Sequence, residues 1–245
     1  MTDAVIFFTI AFIGGLVAVP VGGSFLFVMP SFLLLGLNGI QTLLLSRIFA
    51  FSAVTTGSAY FLAKHREEFT WPAIIRFLSG NVIGYLLAAK IATSINVEFL
   101  TKVVPFVLLG GAVFLVKDWK IKKDRHQKLF YKLLPLFGFA AGLYAGLGGA
   151  PSAVVILILT LALNFGIHRA VVNTRLIEVV GNGVVVFGYL FFGAQLTGLE
   201  FPVIVGGILG GFLGAKITFK TKPTWLKKAF LMLVVLAGVK TLFFS

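Results

Sequence analysis

Two long apolar stretches of this chain are each interrupted by a glycine pair, and no other feature restricts the fold so strongly. The first reads PVGGSFLFVMP over 20–30 and the second GLGGAPSAVVI over 146–156. Each break, Gly22-Gly23 or Gly148-Gly149, is followed by a second apolar run of only 14 or 15 residues, 24–37 and 151–165. A chain crossing hydrocarbon must satisfy its own backbone polar groups. A helix that stops and restarts at membrane depth therefore needs protein or a water-filled cavity around it. The two breaks are accordingly the first candidates for a site.

Composition places the runs in a membrane. The chain is 59% hydrophobic and 12% charged, where a soluble domain is about half apolar and about a quarter charged. A spanning helix takes about 20 apolar residues. The runs 4–21, 24–37, 40–63, 73–95, 99–116, 131–147, 151–165, 168–193, 201–219 and 225–244 leave no room for a soluble domain. The expected fold is an all-α polytopic membrane protein. The absence of cysteine excludes disulfides and thiolate-held metals or clusters. The N-terminal run lacks a basic leader and a small-residue cleavage signature, which reads as a first membrane segment rather than a cleaved signal. The net charge of +13 would suggest nucleic acid in a soluble protein. Here Lys and Arg lie in loops between apolar runs, as expected of loops facing anionic lipid, and no nucleic-acid partner is expected.

The halves repeat. At an offset of 126, Gly22, Gly23, Asn38, Gly57, Gly80 and Gly84 fall on Gly148, Gly149, Asn164, Gly183, Gly206 and Gly210, and Ala89-Lys90-Ile91 falls on Ala215-Lys216-Ile217. The expected division is a membrane repeat over 1–116, a basic linker over 117–130 and a second membrane repeat over 131–245. Segment 117–132 carries seven Lys or Arg, which places it in the cytoplasm. Counting outwards puts Lys64, Arg66, Arg169 and the 216–228 cluster on the same side. The loops near Asn38, at 94–98 and at 194–200, together with both termini, become external. The short runs fall below spanning length. If each forms a re-entrant hairpin with its predecessor, every repeat has three full crossings; if all segments span, it has five. Either number is odd, so the repeats insert with opposite polarity, the plan of many secondary transporters.

At the breaks, Gly22, Gly23 and Ser24 can turn the backbone and cap the restarting helix, and Pro151 after Gly148, Gly149 and Ala150 suits a first helical position. Restarted helices present free N–H groups and a positive dipole end, which suit an anion. The competing explanation, close helix packing through small residues, fits Gly80, Gly84, Gly206, Gly207, Gly210 and Gly211 better than the breaks. Within the apolar runs, Arg47 follows Ser46 and Arg175 follows Thr174. A charge at membrane depth normally faces a cavity or a partner. Arg47 has no acid nearby in sequence, whereas Arg175 has Glu178 on the same helix face, so that pair can neutralise itself. The two arginines match at an offset of 128, not 126. Their equivalence requires a two-residue insertion near 166–168, and Asn173 is the counterpart of Arg47 without it. Thr55, Asn81, Asn173 and Asn182 are further polar candidates, each open to a purely structural role. Glu178 is the candidate coupling group if protons are involved. Lys90 and Lys216 read as snorkelling side chains. The histidines have no metal spacing, and no catalytic triad, paired carboxylates or nucleotide loop occurs. No cofactor, metal or catalysis is expected.

Taken together these motifs resemble the sulfite exporter TauE/SafE family, also called the 4-toluene sulfonate uptake permease family, along nearly the whole chain. Its break pattern is similar to Pro20-Val21-Gly22-Gly23-Ser24 with Pro30 and Leu33 downstream, and to Gly146-Leu147-Gly148-Gly149-Ala150-Pro151. Neither copy has the full glycine triplet of the family, and the second lacks the downstream proline. The G-x-x-x-G-x-x-x-A-A-K-I pattern over 80–91 is also similar. The resemblance implies a plasma-membrane transporter of small sulfur-containing anions such as sulfite or organosulfonates. The residues themselves imply a small anion moved by alternating access, with Gly22, Gly23, Ser24, Arg47, Gly148, Gly149, Ala150, Arg175, Asn173 and Asn81 as the expected substrate contacts. An anion channel and a structural or assembly membrane protein remain alternatives at this point, and oligomeric state is not legible.

Overall fold

A computed structural model describes residues 2–20, 22, 25–94, 125–147, 149 and 151–222, with 224, 225, 228 and 232. The runs expected over 99–116 and 225–244, and residues 117–124 of the linker, lie outside or almost wholly outside these. The described residues are helical, without a strand. They form α1 (Thr2–Ala18), α2 (Phe25–Leu34), α3 (Gly39–Lys64), a 3₁₀ turn (Arg66–Glu68), α4 (Trp71–Ala92), α5 (Arg125–Gly146), α6 (Pro151–Ala162), α7 (Ile167–Phe191) and α8 (Glu200–Lys220). Residues 125–130, expected as linker, are the first turns of α5.

Among the described residues, five helices are long and apolar enough to cross a membrane: α3, α4, the Lys128–Gly146 part of α5, α7 and α8. The protein is thus a multi-span membrane protein. Helices α2 and α6 have 10 and 12 residues. At about 1.5 Å per residue they reach only about 15–18 Å, short of the roughly 30 Å hydrocarbon core. Both begin just after a glycine break, as the apolar runs predict. Local chemistry marks the ends. Asn38 caps α3 through a reciprocal box in which its side chain accepts from Gln41 N at 2.9 Å. Pro151 opens α6, where a missing N–H costs nothing. Glu200 closes the turn before α8 by accepting from Thr197 N and Gly198 N.

Glycines set the two most extensive helix crossings, α4 on α5 and α1 on α8. A methyl at Gly80 would overlap the Pro135 carbonyl, and one at Gly84 the Phe139 carbonyl. In the second half, Gly206 meets the carbonyl of Phe8 and Gly210 that of Phe12. These are the glycines paired by the 126-residue offset, and they do the same job against equivalent helices. Exchanging α1–α4 with α5–α8 reproduces the main helix contacts except that of α1 on α3: α3 on α8 becomes α7 on α4, α2 on α3 becomes α6 on α7, and α3 on α7 maps to itself.

Direction also follows from contacts. The His65 ring, just after α3, stacks on Phe219 with centroids 3.5 Å apart, and His168, at the start of α7, lies against the same ring at 5.2 Å. Helix α3 therefore ends where α7 begins, and the two equivalent helices run antiparallel. The basic segments around 64–70, 165–169 and 216–222 meet at this end. Three buried clusters fill the bundle, centred on Phe61, Phe77 and Ile156, on Tyr85 and Tyr189, and on Phe7, Phe32 and Phe49.

Candidate functional site

Arg47 and Arg175 are both buried, each 1% exposed, on the antiparallel pair α3 and α7. Helix α3 opens at Gly39 and α7 at Ile167. That separation of 128 is the offset at which the two arginines match, so the two-residue shift lies before α7, and the arginines occupy the same place on equivalent helices.

Each arginine reaches the break of the other half. Arg47 donates to the Ala145 carbonyl, to the Gly149 carbonyl at 3.0 Å and to Asn182 Oδ1 at 3.4 Å. A helix leaves its last carbonyls without intrahelical partners and carries a partial negative charge there. Arg47 meets both demands at the end of α5, and the Tyr189 hydroxyl adds a bond to the Gly146 carbonyl. Asn182, which accepts that bond from Arg47, also donates to the Glu178 carbonyl one turn earlier in its own helix at 2.8 Å.

Arg175 faces the first break. A methyl on Gly22, whose φ is +81°, would lie 3.1 Å from Arg175 Nη2 and 2.5 Å from Ser152 Cβ. The first break thus abuts the first turn of α6, which begins directly after the second break. Ser152 Oγ donates to Glu178 and accepts from Arg175 Nη1 at 3.1 Å, and Nη1 also pairs with Glu178. The expected Arg175–Glu178 pair is present, but it occupies one edge of the guanidinium. Nε and Nη2 of Arg175 are buried and have no hydrogen-bond partner among the described residues. The charged side chains buried here are two arginines and one glutamate, the latter 3% exposed.

Other expected residues are placed elsewhere or not described. Gly23, Ser24, Gly148 and Ala150 lie outside the described residues. Gly149 is buried beneath the Tyr144 ring. Asn173 ties down the turn between α3 and α4: it accepts from Thr70 N at 2.8 Å and donates to the Glu68 and Arg169 carbonyls at 2.8 and 2.7 Å. Asn81 lies at the α4–α5 crossing and donates to the Gly138 carbonyl at 3.1 Å. Thr55, Lys90 and Lys216 are exposed, and Lys216 lies over the Phe212 ring. Sequence reasoning missed Ser152 and Tyr189. A serine three residues past a break was a usable signal for the first. Nothing local distinguished Tyr189 from a packed aromatic.

A bundle of spanning helices whose buried arginines lie at two broken segments is the architecture of a transporter, and comparison with known proteins agrees. Residues 7–241 match the family described as Sulfite exporter TauE/SafE. The chain belongs to that family. It is 26% identical over 244 residues to a Haemophilus influenzae protein described as a probable membrane transporter, covering 96% of this chain and 92% of that one. It is 29% identical to a Sinorhizobium protein, probable membrane transporter protein ORF9, over 86% of this chain and 79% of the relative. The Bacillus subtilis probable membrane transporter YdhB is 29% identical over 66% of this chain and 68% of its own length. The chain is accordingly a membrane transporter, which leaves what it carries and how.

Proposed function

We propose that the chain is a secondary carrier that moves a small sulfur-containing oxyanion, such as sulfite or an organosulfonate, across the plasma membrane by alternating access. The observation that carries this reading is Arg175. Two of its guanidinium nitrogens are buried without partners among the described residues, beside the Gly22 break and the N-terminal turn of α6. A guanidinium edge presents parallel donors that match an oxyanion, and an unsatisfied buried charged donor is costly unless a ligand completes it. Ser152 and the positive end of α6 add to the attraction. The family's description supports sulfur as the element of the substrate.

In this reading Arg47 positions the second break and adds positive potential, while Gly23, Ser24, Gly148 and Ala150 complete the backbone around the anion. Glu178 shares Arg175 Nη1 and Ser152, so a proton on Glu178 would free both for substrate; that is the proposed coupling. The basic end of the bundle faces the cytoplasm, the termini face outward, and the antiparallel α3 and α7 belong to repeats of opposite insertion. Rocking one half against the other then exposes the breaks alternately.

The test is a melting-shift series on purified protein with sulfite, sulfate, thiosulfate, sulfoacetate, taurine and chloride, alongside counterflow in liposomes. A ligand that binds only the folded state raises its melting temperature. At least one sulfur oxyanion is expected to do so, Arg175→Gln to abolish the effect, and unlabelled anion inside to accelerate uptake. No shift from any sulfur anion would remove the substrate assignment. Conduction without trans-acceleration would make the protein a channel.

A further inference from the structure

We propose a second binding site, separate from the arginine pair: a cleft at the basic end of the bundle that holds the phosphate headgroup and upper acyl segment of one anionic phospholipid. The cleft has a volume of about 430 Å³ and lies between the starts of α4 and α5 and the α6–α7 connection. That volume falls within the roughly 300–1,000 Å³ typical of ligand pockets. Its rim carries Arg76, Lys128 and Lys132, all exposed, and no carboxylate is among the described lining residues. None of the three cations is in an ion pair among the described residues. The Arg76 guanidinium is instead held 4.7 Å above the Tyr131 ring, which fixes it at the cleft mouth. Next to the cleft, Arg169 lies over the Phe165 ring at 4.9 Å and donates to Thr70 Oγ1 at 3.1 Å.

Three cations drawn from two helices, without an ion pair among the described residues, gather positive charge at the cleft mouth that suits an anion. The walls decide which kind. Ala73, Leu163 and Phe165 give the cleft an apolar floor. A free phosphate would leave that floor uncovered, whereas a lipid lays glycerol and the first methylenes on it while its phosphate meets the rim. A tyrosine at the boundary and a basic pocket between helices at one end of the bundle are features of a headgroup site at the membrane surface. The site does not depend on the transport reading. It would bind lipid in a protein that carried nothing.

Native mass spectrometry of the full-length protein in detergent, offered equal phosphatidylglycerol and phosphatidylcholine, tests this. Phosphatidylglycerol should be retained preferentially by the wild-type chain. Replacing three cations, Arg76→Gln, Lys128→Gln and Lys132→Gln together, should weaken retention on the order of a hundredfold. Leu163→Trp, which fills the cleft and leaves every charge, should also reduce retention, as mere surface attraction would not. Equal retention of the two lipids by the wild-type chain overturns the proposal without recourse to any variant. So does retention unchanged by Leu163→Trp, or full displacement of the lipid by millimolar inorganic phosphate, which would make the cleft a soluble-anion site.

Discussion

Gly22 offers the sharpest check on how the first break is built. Its φ of +81° is a left-handed conformation, and a methyl there would lie 2.5 Å from Ser152 Cβ and 3.1 Å from Arg175 Nη2. Gly36 has a similar φ of +90° with nothing within 4 Å of its methyl position, so Gly36→Ala isolates the conformational cost, about 1–2 kcal/mol. Gly22→Ala carries that cost plus about 1–3 kcal/mol of overpacking. At about 2–4 °C per kcal/mol for a chain of this size, Gly36→Ala should lower the melting temperature by about 2–8 °C and Gly22→Ala by about 4–20 °C. The two variants are compared in one detergent at one scan rate, since membrane proteins of this size commonly unfold irreversibly. The second readout is the melting shift induced by sulfite or another active anion. It should survive in Gly36→Ala and vanish in Gly22→Ala, because the added methyl occupies the space beside the open edge of Arg175. Equal melting of the two variants, with the anion shift intact in both, would refute the contact between the first break, Ser152 and Arg175.

Three further outcomes are expected. Arg47→Gln strips charged donors from the Ala145 and Gly149 carbonyls and should cost about 3 kcal/mol or more, read as lost monodisperse protein on size exclusion. Arg47→Lys should not rescue it, because an ammonium cannot span those acceptors and Asn182 together. Gly80→Ala drives a methyl into the Pro135 carbonyl and should destabilise by about 1–3 kcal/mol, whereas Gly39→Ala, in open space, should leave melting unchanged or slightly raised. Asn173→Ala removes three bonds that hold 68–70 and the start of α7. It should speed trypsin cleavage after Arg66 while leaving apparent anion affinity within twofold; a tenfold loss of affinity with the turn intact would put Asn173 in the substrate path.

The repeat illustrates what local pattern carries well. The 126-residue offset aligns Gly80 with Gly206 and Gly84 with Gly210, and each pair turns out to seat a helix on an equivalent neighbour. Close approach of backbones admits only glycine, so the requirement is written in the residue type itself. The arginines show the opposite case. Both read alike in sequence, a hydroxyl residue followed by Arg in an apolar run, with Asn173 a rival for equivalence. In the structure α3 and α7 start 128 residues apart, the offset at which the arginines match, and an insertion in a turn shifts a helix without altering its pattern.

By itself the sequence determined the membrane class and the two breaks. These follow from hydropathy, from the length needed to cross hydrocarbon and from the backbone freedom of glycine, all of which act within a few residues. Tertiary structure alone decided what each polar group does. The acceptors of Arg47 lie 98, 102 and 135 residues away, and the amide of Asn173 bonds across to residues 103 and 105 positions earlier. A guanidinium taken up by helix-end carbonyls and one left with an open edge are the same residue in the same kind of run. The difference between those two environments arises only when the second half of the chain folds against the first.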